Sequence, residues 1–254
     1  MKHIPEWLRC NDIPFEEYHE IPKALLAEVR KNLKRFHTEH PVVSILVYVE
    51  MGRSNLFSTL SSLTDRHCKT PTEMLFVCHE NDRETIAILQ QINADIIVTK
   101  SLSESEARQG ALLQSKGDYI LNADANSVYP PHWGRRLVEM LIKREAACAY
   151  GSLVCFSNLH FYGKLGALEN WWQHRTHPQW QSEEVSIPSF NFAFRKADAL
   201  TIFGGFDTQT ADRPATRLAM ELIKYGPVLK DLHPDSAVWH RMFMNKKQPF
   251  TIPA

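Results

Sequence analysis

The sequence predicts an α/β protein with a mostly parallel central sheet and helices on both of its faces, and two observations carry that expectation. From Val42 onward, short apolar runs alternate with stretches of helical period, which is the form taken by repeated strand–helix–strand units. Within them, Gly117-Asp118-Tyr119-Ile120-Leu121-Asn122-Ala123-Asp124-Ala125-Asn126 is an apolar strand that ends in a carboxylate and an amide, followed by the turn signal Tyr129-Pro130-Pro131. In open α/β sheets ligands collect outside the carboxyl ends of strands, and a carboxylate there can hold a hard divalent cation already bound to phosphate oxygens. Asp and Asn also favour solvated turns, so the surroundings must decide between the two readings.

Residues 22–36 place Leu25, Val29, Leu33 and Phe36 on one face of a helix, with Lys and Glu opposite and Pro22 in a position that suits a first turn. This amphipathic helix belongs to an N-terminal extension, residues 1–40, that packs on the main fold; its narrow stripe and mixed charge argue against membrane binding. A short connection, Thr38-Glu39-His40-Pro41, leads into the strands read at Val42–Val49, Met74–Cys78, Asp95–Val98 and Tyr119–Asn122. Helices are expected between them at about 54–63, 83–92 and 104–115, the last opened by Ser103 and Glu106 at capping-box spacing. Beyond Pro131 follow a helix carrying Leu137, Val138 and Leu141, a strand at Ala149–Cys155, a strand near Asn191–Phe194, a Gly204-Gly205 turn and a helix at about 216–225.

A chain of 254 residues can bury a substantial core, and α/β folds of this size commonly stay one domain, so residues 41–254 are read as a single unit. Lys and Arg number 29 against 29 Asp and Glu, so no bulk charge marks a nucleic-acid partner. Five cysteines, odd in number and without Cys-x-x-Cys spacing, argue against a disulfide framework or a structural zinc site and suit a reducing, cytoplasmic setting. No apolar leader core is seen, nor a run near the roughly 18 residues that span a bilayer. Peripheral contact with a membrane surface and the oligomeric state stay open.

Several of these landmarks, in order, resemble the GT-A-fold glycosyltransferases of family 2 over roughly residues 42–241. Val43-Ser44-Ile45-Leu46-Val47 is similar to the family's first strand and Ala107-Arg108-Gln109 to its Ala-Arg-Asn/Gln helix. Asp124-Ala125-Asn126 resembles the Asp-x-Asp motif, and the segment from Phe190 to Lys196, followed by Gly204-Gly205-Phe206-Asp207, resembles the acceptor-side landmark. The resemblance implies transfer of a sugar from a nucleotide diphosphate donor to an acceptor hydroxyl of a saccharide or lipid-linked acceptor, with Mg²⁺ or Mn²⁺. Residues 41–130 then form a donor-binding half and residues 131–254 an acceptor-side half.

On that resemblance the donor contacts fall on Tyr48, Glu50, His79, Arg108, Asp124 and Asn126. A cation is assigned to Asp124 and Asn126, joined by His240 of the Trp239-His240-Arg241 segment, which is otherwise a terminal strand. Arg108 either faces the donor or pairs with Glu104 on the surface. Trp171, Trp172 and Asn191 are assigned to the acceptor; Phe161, Tyr162 and Trp180 join the two tryptophans as either a stacking platform or core. His174 and His177, with no third ligand evident, read as a surface pair.

The chain departs from the pattern at four places. Glu50-Met51 and Cys78-His79 stand where the nucleoside contacts are expected, and Asn126 replaces the last carboxylate of Asp-x-Asp. Pro214-Ala215 occupies the place of the acidic pair that supplies the base, leaving Asp212 as the nearest replacement and Asp207 as a poorer one. These substitutions set a rival expectation beside transfer: a catalytically impaired GT-A-fold protein that binds a ligand or regulates a partner. A nucleotidyltransferase is disfavoured because no Gly-rich, basic phosphate loop follows the first strand.

Overall fold

The computed structural model describes residues 5–11, 13, 18–50, 55–64, 70–156, 186–202, 204–209 and 213–241. In chain order the helices are α1 (Glu6–Asn11), α2 (Lys23–Leu33), α3 (Leu56–Thr64), α4 (Arg83–Gln91), α5 (Glu104–Gln114), α6 (Trp133–Lys143), α7 (Lys196–Thr201) and α8 (Pro214–Leu222). The strands are β1 (Val43–Val49), β2 (Thr72–His79), β3 (Asp95–Thr99), β4 (Tyr119–Asp124), β5 (Ser127–Val128), β6 (Cys148–Tyr150), β7 (Leu153–Phe156), β8 (Phe192–Arg195), β9 (Val228–Lys230) and β10 (Val238–Arg241).

Among the described residues, seven strands form one sheet in the order β3-β2-β1-β4-β8-β6-β9, and β5-β10-β7 form a smaller sheet beside it. The first four run parallel. β8 is antiparallel to both its neighbours, β4 and β6, while β6 and β9 are parallel. Alternation along β1 explains the two layers. Val43, Ile45, Val47 and Val49 join a core with α2, α3, α4 and α6, whereas Leu46 faces Ala107, Ala111 and Leu112 of α5 together with residues of α7 and α8. Helices therefore cover both faces, as expected of a parallel sheet whose strands are buried on each side.

The sequence-predicted elements shift in ways that have local causes. α2 starts at Lys23 because Pro22 is its N-cap, with φ −59° and ψ 135°, outside the helix; its buried Val29 and Leu33 pack into the main core. Ser103 does cap α5, its hydroxyl accepting the Glu106 N–H at 3.4 Å, and Asp82 caps α4 in the same way from Thr85 at 3.3 Å. α8 begins two residues before the expected Thr216, since Pro214 suits the first helical turn after Arg213. The helices α1 and α7 and the strands β5 and β9 have no counterpart among the expected elements.

The largest correction concerns the single strand expected over Ala149–Cys155. It is two strands, β6 and β7, that leave in different sheets on either side of Gly151-Ser152. A Cβ on Gly151 would lie 2.0 Å from the Ser236 carbonyl oxygen and 2.7 Å from Asn191 Nδ2, so only glycine lets the chain turn here against the segment that enters β10. Asn191 staples the junction: it is fully buried, accepts the Trp133 indole N–H at 2.7 Å, and donates to the carbonyls of Ser152 at 2.8 Å and Ser236 at 3.1 Å.

Candidate functional site

The site gathers at the carboxyl end of β4. Strand pairing continues two residues further than the apolar pattern suggests, so Asp124 is the last strand residue and stands in register with Tyr48 of β1. The backbone then turns sharply. Ala125 N–H reaches the Tyr48 carbonyl at 2.9 Å, and Asp124 Oδ1 accepts the Asn126 N–H at 3.0 Å, the side-chain-to-backbone turn that Asp favours. That bond aims the carboxylate and leaves Oδ2 directed at His240, whose Nδ1 is 3.4 Å away.

His240 arrives by long-range pairing. β10 runs antiparallel to β5 with His240 opposite Ser127, and Ser127 Oγ lies 3.0 Å from the same Nδ1. β5 is itself anchored from α3, where the Thr59 hydroxyl donates to the Ser127 carbonyl at 2.7 Å. On its face the imidazole stacks on Phe190, ring centroids 4.6 Å apart at 17°. Tyr129 closes the back of the site: its oxygen accepts the Asp124 N–H at 2.8 Å and donates to the Phe190 carbonyl at 3.2 Å. Burial, reinforced by the Asp124 carboxylate, pushes the Tyr129 phenol well above its ordinary pKa, so its proton stays in place for that bond.

Asn126 is 5% exposed, its Nδ2 donates to Glu50 Oε2 at 3.4 Å, and its Oδ1 has no hydrogen-bond partner. A buried amide oxygen left without a partner is costly unless something absent from the chain satisfies it. Asp124, Asn126 and His240 together offer two oxygens and one imidazole nitrogen, a set that suits Mg²⁺ or Mn²⁺. The 3.4 Å between Oδ2 and Nδ1 is less than twice a metal–ligand distance of ~2.1 Å, so both atoms can reach one ion. The described residues hold no group of three His, Cys, Asp or Glu able to bind a metal, so diphosphate oxygens would have to complete the shell.

The other expected donor residues divide. Arg108 pairs with Glu104 as one of the two readings expected, but it is buried rather than on the surface: it is 1% exposed, bonded to Glu104 at 2.7 Å and to Asn122 Oδ1 at 3.3 Å, with its guanidinium 5.3 Å from the Tyr48 ring centroid. Its charge therefore lies behind Tyr48. The Tyr48 phenol is held above its usual pKa by burial and then by Glu104, with Arg108 opposing. His79, expected to offer an edge to a base, has both nitrogens engaged: Nδ1 accepts the Asn81 N–H at 3.2 Å, which places the proton on Nε2, 3.2 Å from the Lys100 carbonyl.

On the acceptor side, Asn191 is committed to the sheet junction and presents no free polar atom. Trp171, Trp172 and Asp212 lie outside the described residues, as do Phe161, Tyr162, His174, His177 and Trp180. Pro214 and Ala215 are both buried in the first turn of α8. Asp207 accepts the Gln209 N–H at 2.9 Å and pairs with Arg217 at 3.4 Å, so it serves its own turn. That turn is clamped from α5: Gln109 donates to the Gly204 carbonyl at 2.6 Å and accepts the Phe206 N–H at 2.7 Å, and Gly205 at φ 127° leaves room for it. Two landmarks that resemble separate family motifs are thus one contact.

Ser127 escaped the sequence reading, as did the roles of Tyr129 and Phe190, which it had placed only in a turn signal and in the acceptor-side landmark. The only signal for Tyr129 was its place before Pro130-Pro131, which marked a turn rather than a phenol aimed at Asp124.

Comparison with known proteins agrees with this architecture. No curated protein matches the chain. The solved structure of GalNAc-T7 with UDP, GalNAc and Mn²⁺ matches with a TM-score of 0.57 at 13% identity, covering 82% of this chain and 45% of that one. S. aureus TarS in complex with UDP-GlcNAc matches with a TM-score of 0.57 at 13% identity, covering 80% of this chain and 59% of that one. The chain thus spans about half the length of these two structures, and the likeness establishes the GT-A fold. At the level of sequence the match covers residues 42–203, from the entry of β1 through α7, and over that span the chain belongs to glycosyl transferase family 2.

Proposed function

We propose that the protein transfers a sugar from a nucleotide diphosphate donor to an acceptor hydroxyl, with a divalent cation held by Asp124, Asn126 and His240. The observation that carries this reading is the Asp124 carboxylate facing the His240 imidazole at 3.4 Å, with a buried, unpartnered Asn126 Oδ1 two residues along the chain. A bound Mg²⁺ or Mn²⁺ there would act as a Lewis acid on the diphosphate leaving group. Asp124 and Asn126 orient the donor phosphates at the end of β4, and Tyr48, in register with Asp124, forms the neighbouring wall. The GT-A fold shared with GalNAc-T7, solved with UDP, GalNAc and Mn²⁺, and with TarS, solved with UDP-GlcNAc, supports a nucleotide-sugar donor and Mn²⁺.

Asp212 is proposed as the base that takes the acceptor proton, with Trp171 and Trp172 as the acceptor platform. Saccharide and lipid-linked acceptors both fit this chemistry, and a cytoplasmic setting is proposed from the cysteine pattern. Among the described residues no helix is long and apolar enough to cross a membrane. Nucleoside recognition is expected to be atypical, because His79 is bonded to its own chain and Glu50 brings a carboxylate toward the diphosphate region. A second reading, a ligand-binding protein without turnover, is favoured by one observation: buried Pro214 and Ala215 stand where the family resemblance places its acidic pair.

Isothermal titration of UDP-, GDP- and dTDP-sugars with and without Mn²⁺ tests the proposal. The Asp124→Asn variant keeps an oxygen for the Asn126 N–H but loses the charge, and metal-dependent donor binding should fall by at least about a hundredfold. Unchanged affinity and unchanged metal dependence in that variant would remove the site assignment. Donor binding without transfer or donor hydrolysis would select the second reading.

A further inference from the structure

We propose that Tyr129 is a positioning residue that sets the spacing between Asp124 and His240, and through it the affinity of the site for its cation and donor. The inference rests on the metal-assisted donor site proposed above and concerns a residue that touches no ligand, since Tyr129 is 1% exposed.

Four residues form a closed ring of contacts. The Asp124 N–H is bonded to the Tyr129 oxygen at 2.8 Å, and that oxygen donates to the Phe190 carbonyl at 3.2 Å. The Phe190 ring stacks on the His240 imidazole at 4.6 Å, and His240 Nδ1 returns to Asp124 Oδ2 at 3.4 Å. A phenol is required because one oxygen must accept from an N–H at the end of β4 and donate to a carbonyl in the loop before β8. Phenylalanine could fill the volume but would leave both backbone groups unmet. The ring of Tyr129 is held in turn by Trp133, centroids 4.5 Å apart, and the Trp133 indole N–H is tied to Asn191 Oδ1 at 2.7 Å. Tyr129 thus cannot swing without disturbing the junction of the two sheets.

The spacing matters because the chain supplies so few ligands. A cation held by one carboxylate, one imidazole and one amide depends on their being in place before it arrives. Outer groups that orient metal ligands commonly change metal affinity or activity by about ten- to a hundredfold when removed. Asp124 is oriented on one side by the Asn126 N–H and on the other by Tyr129, and the His240 ring is oriented by its stacking on Phe190.

The test uses the full chain, with Mn²⁺ and UDP as probes. Calorimetry should show Mn²⁺ affinity in the presence of UDP reduced about ten- to a hundredfold in Tyr129→Phe, and reduced in the same range in Phe190→Leu, which retains both Tyr129 hydrogen bonds. In the protein without metal, amide hydrogen exchange at Asp124 should accelerate at least about tenfold in Tyr129→Phe while the far strands β2 and β3 keep their protection. If Tyr129 acts through His240, adding Tyr129→Phe to a His240→Ala background should cost little further affinity. Wild-type affinity in both single variants, or fully additive losses in the double variant, would overturn the proposal while leaving the donor site intact. A wild-type protein that binds no Mn²⁺ with UDP, GDP or dTDP would instead overturn the donor site, and this proposal with it.

Discussion

Replacing Gly151 with alanine should damage stability and donor binding together, because its close backbone contact lies at a junction of the two sheets. The added Cβ would sit 2.0 Å from the Ser236 carbonyl oxygen, 2.7 Å from Asn191 Nδ2 and 2.9 Å from Asn191 Oδ1. Ordinary contact lies near ~3.5 Å, so the carbonyl must retreat by more than ~1 Å. Asn191 cannot yield, since it is fully buried and bonded to Trp133, Ser152 and Ser236. The retreat would break the Asn191–Ser236 bond and strain the Val238 N–H bond to the Ser152 carbonyl, 2.9 Å long, that starts the β7–β10 pairing. Overpacking costs about 1–3 kcal/mol and a buried group left unbonded another 1–3, so the loss should be about 2–6 kcal/mol. That is a large fraction of a typical total stability of about 5–15 kcal/mol. β10 carries His240, so any variant protein that folds should also bind Mn²⁺ and donor more weakly. Urea denaturation gives the first quantity and calorimetry the second. An alanine variant with parental midpoint and parental affinity would show that the Ser236 approach is not tight and that β10 is not located by this junction.

Two further outcomes follow from other groups. Burial alone would raise the Asp231 pKa, but the two bonds from Arg136, at 2.7 and 3.0 Å, and the His233 N–H hold it below the usual carboxylate value. A depressed folded value means that its stabilisation is present above the unfolded carboxyl pKa of about 3.9 and is lost as pH falls through the lower folded value. Asp231→Asn should therefore cost about 2–3 kcal/mol near neutral pH and flatten the acid limb of a stability–pH curve; a variant with the parental curve would refute the pairing. Among the described cysteines, burial pushes the Cys78 thiol up to about 12 and the Cys148 thiol higher still, whereas Cys10 is exposed. Iodoacetamide at neutral pH should modify Cys10 in the folded protein and leave Cys78 and Cys148 unmodified until denaturant is added; rapid native labelling of either buried thiol, read by peptide mass, would contradict the core packing.

The sequence by itself determined the parallel half of the sheet and the position of Asp124, because alternation of apolar runs with helical periods, and a strand that ends in polar residues, are local patterns. It also located Ser103 as a cap, since capping joins residues three apart. Only tertiary structure decided the rest. The apolar run over 149–155 reads as one strand, and it is the distant Ser236 carbonyl against Gly151 that divides it. Arg108 carries a charge that suggests exposure, yet Tyr48, Glu104 and Asn122 enclose it. Asn191 has the polarity of an acceptor-site residue but spends it on Trp133, Ser152 and Ser236. His240 reaches Asp124 because β10 inserts between β5 and β7, bringing together residues 113 positions apart at Ser127 and His240. Periodicity reports the surroundings that a segment needs, whereas the identity of a partner that far along the chain depends on which sheet edge remains available once the local elements have formed.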